Sequence, residues 1–218
     1  AGDLVYGGPP PGYSPPQLDD PTLYPVRFPT PLTITGTFVF EVVQSPETSL
    51  RADAGLLPMI ARAGPGDRVL VEQLYEHHHW GPVDSTPEAD PNLRLEAYLA
   101  AARRGARVRI LLDSFFDDPH NPRSNLATIA YLNEIARREG LDLEARRGNP
   151  TYLGIHNKMV LVESDGQGWV HVGSINGSEG SAKVNRELAL QVRSTVAYGW
   201  LAAMFWQDWA AAEPWLPE

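Results

Sequence analysis

The sequence predicts an α/β fold with a mixed, mostly parallel β-sheet that is flanked by helices on both faces. Strand and helix signals alternate along most of the chain, which is the pattern of a parallel sheet with crossover helices. Two late strand signals flank a short glycine-containing turn, so some antiparallel pairing is expected as well. The chain has 218 residues, of which 43% are hydrophobic and 21% are charged, and this suffices for the core of one large domain.

A proline-rich arm precedes the predicted domain. Residues 1–32 contain nine of the 20 prolines, and proline fixes φ and removes a backbone donor. We therefore interpret 1–32 as an extended arm or linker and 33–218 as the folded domain. Apolar side chains of the arm, Phe28 among them, are suited to docking on the domain surface.

The first half of the domain is predicted to alternate strand and helix, at 33–43, 46–63, 68–74, 92–104 and 107–112. The first strand is rich in β-branched and aromatic residues, and the second is apolar on both faces. Proline is tolerated in the first turn of the first helix, and a Gly-Pro-Gly sequence ends that helix. Apolar residues at helical spacing define the second helix, and a glycine follows it as a candidate C-cap.

The second half is predicted to contain a helix, a strand, a hairpin, a strand and a closing helix, at 125–139, 142–146, 155–163 with 168–173, 186–192 and 195–212. Ser124 is a suitable N-cap, and Gly140 ends the helix that Ser124 begins. The turn between the two hairpin strands contains two glycines. The closing helix is rich in tryptophan and alanine.

Composition excludes several classes of function. Because the sequence has no cysteine, disulfide frameworks, thiolate zinc sites and cysteine nucleophiles are ruled out. A net charge of −9 counts against a protein that wraps duplex nucleic acid. Uninterrupted apolar runs fall short of the ~18–20 residues that cross a bilayer. Localisation stays open, because no signal peptide is visible but the chain begins with Ala, which is compatible with removal of a leader or of a longer N-terminal region.

Polar residues gather at the predicted hairpin. His156 and Lys158 stand two apart at the start of its first strand, so their side chains share one face. Gly173, Ser174 and Asn176 follow its second strand, and pairing of the two strands returns them to the same end. The glycine allows backbone amides to approach an anion closely. An imidazole, an ammonium, a hydroxyl and an amide then suit a phosphoryl group, which needs a nucleophile and donors for its oxygens.

This pattern resembles the HKD motif of the phospholipase D superfamily, H-x-K-x4-D-x6-G-S-x-x-N, and the resemblance extends over about residues 38–212. Asn185-Arg186-Glu187 before an apolar strand matches the N-x-E segment that follows the motif in the family. Glu163 stands at the aspartate position, with Asp165 two residues later as the alternative. The hairpin spacing is three residues longer than in the motif, and the asparagine comes one residue earlier.

The resemblance implies a fold that corresponds to one half of a phospholipase D, with a catalytic domain over 33–218. Family members join two such halves, and the active site lies between them. One motif histidine attacks phosphorus and forms a phosphohistidine, while the other protonates the leaving oxygen. The family chemistry needs no metal or cofactor, because lysines and asparagines neutralise the phosphate oxygens.

The family roles carry over to matching positions of this chain. The resemblance implies that His156 is the nucleophile or the general acid. Lys158 and Asn176 are expected to hold the phosphate, with help from Ser174. Glu187 is expected to orient a histidine by accepting a hydrogen bond from its other ring nitrogen.

A complete site requires a second motif, since this chain contains a single one. Either two chains form a two-fold homodimer with both His156 residues at the interface, or the chain is half of a longer polypeptide with two motifs. The expected function is a metal-independent phosphodiesterase or phosphatidyl-type transferase. A homodimeric endonuclease and a non-catalytic module are the alternatives, and lipid and nucleic-acid phosphodiesters are both open as substrates.

Three further candidates follow the second predicted strand. Tyr75, His77 and His79 lie near the carboxyl end of that strand, where α/β sites usually form. We expect them to line the substrate cleft. A metal site on His77 and His79 and a solvated loop are the other interpretations.

Overall fold

The computed structural model describes residues 26–215, so predictions for residues 1–25 of the arm lie outside this range. Within it, seven strands form one sheet: β1 Phe40–Ser45, β2 Arg68–Gln73, β3 Arg107–Asp113, β4 Leu143–Gly148, β5 Lys158–Ser164, β6 Gln167–Gly173 and β7 Glu187–Arg193. Five helices belong to the same range: α1 Leu56–Ala61, α2 Leu93–Arg103, α3 Asn125–Glu139, α4 Glu179–Lys183 and α5 Thr195–Ala211.

The strand order across the sheet is β1-β7-β6-β5-β2-β3-β4. Of the six neighbouring pairs, β2–β3 and β3–β4 are parallel and the other four are antiparallel. The prediction of a mixed sheet is therefore confirmed, but the prediction that it is mostly parallel is wrong. The chain turns back in the β5–β6 hairpin, and β7 and β1 then extend that side of the sheet with antiparallel pairs.

Helices cover both faces of the sheet, as predicted. On one face, α1, α2 and α3 pack over strand residues that include Val69, Ile110 and Val160. On the other face, α5 packs over Leu161 and buries Phe205 completely. Burying a side chain of this size adds roughly 1.5–3 kcal/mol to the free energy of unfolding. The two cores therefore stabilise the sheet, and the polar motif lies at one edge of that sheet.

Capping residues explain why the middle helices were predictable. The Asn92 side chain accepts a hydrogen bond from the Arg94 N–H group at 3.0 Å, at the start of α2. At the start of α3, the Ser124 hydroxyl accepts from the Ala127 N–H group at 3.1 Å. Gly140 ends α3 in the left-handed conformation with φ 67°. The predicted extent of α3 and both of its end residues are confirmed.

The first strand and the first helix differ from the prediction. β1 begins at Phe40 rather than at residue 33, and the chain between residues 33 and 39 is irregular. The helix predicted over 46–63 is confined to Leu56–Ala61, directly after Gly55 with φ 74°. The sequence pattern alone therefore predicts both β1 and α1 to be longer than they are.

Tertiary hydrogen bonds explain the shortened helix. The Ser45 hydroxyl donates to the Ser181 carbonyl at 2.6 Å, and the Ser49 hydroxyl donates to the Ala182 carbonyl at 2.5 Å. Both acceptors belong to α4, a five-residue helix that the sequence did not predict. These contacts anchor the segment after β1 to a distant part of the chain, so it forms turns instead of a continuous helix.

The last residues of the arm contact the closing helix. The rings of Phe28 and Trp200 meet edge to face with their centroids 5.7 Å apart. The predicted docking is thus seen for Phe28, while the boundary between arm and domain stays a prediction. α5 itself has 17 residues, and none of the helices between residues 26 and 215 is long and apolar enough to cross a membrane.

Candidate active site

One edge of the sheet collects the residues of the predicted motif. β2, β3 and β4 end at this edge, and β5 and β7 begin there. Gln73 of β2 pairs with Lys158 of β5, and Met159 pairs with Val172 of β6. The segment before β5 and the segment after β6 are therefore neighbours, as the hairpin predicted.

His156 and Lys158 form a contact pair at this edge. The Lys158 ammonium lies 3.1 Å from His156 Nδ1 and donates to the His156 carbonyl at 2.5 Å. The imidazole is exposed, whereas Lys158 is only 6% exposed. An accessible ring thus stands directly over a buried cation, an arrangement that can attract and bind an anionic group.

Burial lowers the pKa of Lys158, and the negative charge of Glu187 opposes this shift. Glu187 accepts hydrogen bonds from the Ser181 hydroxyl at 2.7 Å and from the Asn185 amide at 3.2 Å. Its second oxygen is buried and has no hydrogen-bond partner among residues 26–215. The His156 ring donates no hydrogen bond to Glu187 among the described residues, and the Lys158 ammonium lies on the Nδ1 side of that ring. That Glu187 orients a histidine stays a prediction.

The loop after β6 brings Ser174 and Asn176 to the same edge. Ser174 is tied to β7, since its N–H group donates to the Leu188 carbonyl at 2.9 Å and its hydroxyl accepts from the Leu188 N–H group at 3.2 Å. The Asn176 N–H group donates to the Ser181 hydroxyl at 2.7 Å. The Asn176 amide oxygen is buried without a hydrogen-bond partner in the described chain. The backbone of Asn176 is therefore anchored to α4, while its buried amide oxygen has no partner of its own between residues 26 and 215.

Strand packing accounts for the glycine at position 173. A Cβ atom there would lie 2.2 Å from the Leu188 carbonyl oxygen and 2.5 Å from Ala189 Cα. Only glycine allows β7 to approach β6 this closely. A further role of Gly173 toward a bound anion stays a prediction.

Tyr75 and His77 line a neighbouring cleft, and the expectation that this cleft takes the substrate stays a prediction. Their rings stack with centroids 5.4 Å apart, in a cleft of about 210 Å³ that Phe116 and Arg123 also line. Burial and the nearby charge of Arg123 lower the pKa of His77 to about 4. The ring is therefore neutral at pH 7, and it can donate or accept a hydrogen bond without carrying charge.

His79 does not lie in this cleft. Its side chain is 2% exposed, and its Nδ1 atom is 2.8 Å from the Trp80 carbonyl. The expectation that His79 contacts substrate is corrected accordingly, because the chain leaves β2 at residue 73 and does not keep the strand alternation that would place it beside His77. No group of three or more His, Asp and Glu side chains suited to a metal ion occurs in the part of the chain that is described.

Asp113, which sequence reasoning missed, holds the segment before His156. It is the last residue of β3 and is completely buried. Its carboxylate accepts from the Ile155 N–H group at 2.6 Å and from the Phe116 N–H group at 2.5 Å. A carboxylate at the carboxyl end of an apolar strand was the available signal in the sequence.

A second buried carboxylate lies under the motif. Asn157, between the two motif residues His156 and Lys158, donates its side-chain amide to Glu72 at 3.0 Å. Burial and the negative charge of Asp208 raise the pKa of Glu72 to about 8. Burial likewise raises the pKa of Asp208 to about 6. Glu72 therefore carries a proton at neutral pH and acts as a hydrogen-bonding group beneath the site.

The fold and the motif define a domain of the phospholipase D class. A family model described as "Cardiolipin synthase, PLD-like domain" matches residues 85–209, which is more than half of the chain. The chain therefore belongs to the family of phospholipase D-like domains, as the sequence motif indicated. No curated protein matches the chain.

Solved structures support the same fold. The phospholipase D family member Nuc from Salmonella typhimurium aligns with a TM-score of 0.60 and 19% identity over 83% of this chain and 100% of that one. NucT from Helicobacter pylori aligns with a TM-score of 0.60 and 17% identity over 82% of this chain and 100% of its own. A phosphatidylserine synthase from Haemophilus influenzae aligns with a TM-score of 0.53 and 11% identity, over 84% of this chain and 41% of the synthase. At these identities the similarity establishes the fold alone.

Proposed function

We propose that this domain is one half of a metal-independent phosphodiesterase or phosphatidyl-type transferase that acts through a phosphohistidine on His156. One observation carries the proposal: the exposed imidazole of His156 stands against the buried ammonium of Lys158. The unpartnered amide oxygen of Asn176 and carboxylate oxygen of Glu187 belong to the same sheet edge. Membership of the phospholipase D-like family supports the choice of chemistry.

The reaction would proceed in two displacements. The His156 Nε2 lone pair attacks phosphorus, the bond from phosphorus to the leaving oxygen breaks, and the second motif's histidine gives that oxygen a proton. Water or an alcohol then attacks the phosphohistidine, passes its proton to the second histidine and restores His156. Both steps add negative charge to the phosphoryl oxygens, which the Lys158 ammonium and the side-chain NH2 group of Asn176 would stabilise by donating hydrogen bonds.

Lys158 also links phosphate binding to the protonation state of His156. While its ammonium donates to Nδ1, the ring proton must sit on Nε2, and that tautomer has no Nε2 lone pair for attack. In the proposal the ammonium moves to the phosphate oxygens, and the ring proton then moves to Nδ1. The free oxygen of Glu187 is the candidate acceptor for this Nδ1–H group, which keeps the orienting role predicted for Glu187.

An apolar surface on the other side of the site supports a second half as partner. Phe40 and Val42 of β1 and Leu188 and Leu190 of β7 alternate with inward residues and project from one sheet face. Their exposed fractions lie between 49% and 61%. An apolar strip beside Ser174 is suited to burial against a second motif-bearing domain, either another copy or a second half of a longer chain.

The surroundings of His156 favour a lipid-like ester over duplex DNA. Phe116 approaches the His156 ring with centroids 6.4 Å apart, and Phe115, Tyr152 and Leu153 are also exposed on the two loops beside it. The loop that carries Phe115 and Phe116 continues with two acidic residues, Asp117 and Asp118, and the whole chain has a charge of −9. Aromatic and acidic surroundings suit an apolar substituent better than a polyanion. An endonuclease is the alternative, and cleavage of plasmid DNA in the presence of EDTA would decide for it.

The first test is the replacement of His156. We expect His156→Asn to reduce hydrolysis of bis-p-nitrophenyl phosphate at least 1,000-fold, on the order expected for loss of a covalent nucleophile, with an unchanged circular dichroism spectrum. EDTA should leave the wild-type rate unchanged, and vanadate, which resembles five-coordinate phosphorus, should inhibit it.

The matched control is His120→Asn, because His120 is an exposed histidine outside the motif. Wild-type turnover by the His156 variant would refute the assignment. Absence of turnover both by this chain and by any longer polypeptide that contains it would instead support a non-catalytic module.

A further inference from the structure

A buried ion pair lies beneath the loop that carries Asn176. Glu76 and Arg94 are 0% and 1% exposed, and Arg94 Nε lies 3.4 Å from a Glu76 carboxylate oxygen. Neither side chain can touch a substrate, and neither belongs to the motif. Removing two charged groups from water costs free energy. The groups to which Glu76 and Arg94 are hydrogen-bonded therefore indicate the role of the pair.

The partners of the pair are the backbone groups on both sides of Asn176. Arg94 donates to the Ile175 carbonyl at 3.3 Å. Asn92 donates its amide to Glu76 at 2.7 Å and to the Gly177 carbonyl at 3.0 Å. The ion pair and its amide neighbour therefore hold the carbonyls that precede and follow Asn176.

Gly177 joins this loop to the segment after β2. Its N–H group donates to the Tyr75 carbonyl at 3.1 Å, and its carbonyl accepts from the His77 N–H group at 3.4 Å and from the Trp80 indole at 3.1 Å. A Cβ atom at position 177 would lie 2.0 Å from a Glu76 carboxylate oxygen. The carboxylate is thus in direct contact with the backbone that follows Asn176.

From these contacts we propose that Glu76 and Arg94 are positioning residues that hold the Asn176 amide at the phosphate site and fix the Tyr75–His77 segment against it. The inference rests on the proposed function, since it assigns a task to Asn176. A buried pair of this kind adds little net stability compared with apolar side chains of similar volume. Its fixed hydrogen-bonding geometry can, however, keep a phosphate-binding group within a fraction of an ångström of its working position.

The test uses a paired substitution, because loss of one partner alone would leave an uncompensated buried charge. In Glu76→Gln with Arg94→Met, both charges disappear together. We expect kcat on bis-p-nitrophenyl phosphate to fall about 10- to 100-fold, the loss typical of a misplaced binding group, while KM changes less than about threefold. The affinity for vanadate should fall in parallel with kcat/KM, because both report interactions made in the transition state.

Asn133→Ala supplies the matched control for a purely structural loss. The buried Asn133 amide bridges the backbone N–H and C=O groups of Ala145, with both distances 2.8 Å, on α3 and β4 away from the motif. Its removal should lower the free energy of unfolding without changing kcat or vanadate affinity. If the paired variant behaves like Asn133→Ala, with lower stability but wild-type kinetics, the proposal is overturned.

Tungstate binding separates this inference from the proposed function. In a His156→Asn background, where no turnover is expected, the dissociation constant for tungstate can be measured directly by calorimetry. We expect the paired substitution to raise that constant about tenfold, the loss typical of one misplaced hydrogen bond to an anion. An unchanged dissociation constant would contradict the positioning role, even if the chain proved to have no phosphodiesterase activity. If the wild-type protein is inactive but the dissociation constant rises as expected, only the proposed function is contradicted.

Discussion

Lys158 shows how a single side chain connects burial with chemistry. It sits at the start of a strand, faces a core and still reaches both the carbonyl and the ring of His156. Burial disfavours its charged form, while Glu187 favours it. A phosphate oxygen is a strong partner for an ammonium held in this way. In the proposed mechanism, this ammonium would meet the oxygen on which negative charge develops.

Burial also shifts the pKa of Glu72, but it raises this pKa, whereas it lowers that of Lys158. The folded-state pKa of Glu72, about 8, lies above the ordinary value of 4.5, mainly because of burial and then because of the charge of Asp208. Between these two pH values the folded state binds more protons than the unfolded state. The stabilising effect of a neutral Glu72 is thus fully present below pH 4.5 and is lost as the pH rises through about 8.

This pH dependence can be measured with Glu72→Gln, which keeps the protonated shape. We expect its free energy of unfolding to exceed that of the wild type by an amount that grows between pH 5 and pH 8, to on the order of a few kcal/mol. Urea unfolding at several pH values provides the comparison. Glu88→Gln, at an exposed glutamate, should leave the wild-type pH profile unchanged. A constant difference across the pH range would show that Glu72 does not hold a proton in the folded state.

At the scale of elements, the junction of β6 and β7 determines where the motif loop begins. Gly173 has no room for a side chain against Leu188 and Ala189, and Ser174 continues the pairing by hydrogen bonds to Leu188. The paired strands thus hold the start of the loop that leads to Asn176. The position of the amide thus depends on a strand contact as well as on the ion pair beneath it.

Gly173→Ala tests this contact. A Cβ atom 2.2 Å from a carbonyl oxygen forces β6 and β7 apart, so we expect the free energy of unfolding to fall by about 3 kcal/mol or more. Chemical denaturation gives the value. Gly180→Ala is the control, because nothing lies within 4 Å of its added Cβ and it belongs to α4. This second change should be neutral or stabilising by up to about 1 kcal/mol. Equal effects of the two alanines would exclude the packing explanation.

At the scale of the whole molecule, the sheet separates two surfaces with the candidate site between them. β1 and β7 form one end of the strand order, and β3 and β4 form the other. The apolar strip on β1 and β7 lies on the side of Ser174, whereas the aromatic loops after β3 and β4 lie on the far side of His156. In the proposed function, the first surface would meet a second motif-bearing half and the second would face the substrate.

Leu190→Glu places a charge in the centre of the apolar strip. We expect the variant to stay folded, because Leu190 is 52% exposed, and to lose at least 100-fold in turnover through separation of the two halves. Light scattering would report the change from dimer to monomer if two copies associate. Val83→Glu, at an equally exposed apolar residue in a loop, serves as the control. If the Leu190 variant keeps wild-type assembly and turnover, the second half does not bind at this strip.

The sequence by itself determined the local features of this protein. Ser124 and Gly140 defined α3, because capping residues act within one helical turn. The alternation of strand and helix signals indicated an α/β fold, and the motif that starts at His156 identified the family. Each of these signals depends on neighbours in the chain, which a single sequence displays directly.

Only the tertiary structure decided how distant segments combine. It made four of the six strand pairs antiparallel, shortened the first helix through the bonds of Ser45 and Ser49 to α4, and buried His79 instead of exposing it. It also placed Asp113 under the backbone before His156, and Glu76 with Arg94 under the backbone around Asn176. Apart from the β5–β6 hairpin, which the sequence predicts, and the burial of His79, these contacts join residues separated by more than 15 positions in the chain. They arise from packing, so neither periodicity nor motif spacing contains them.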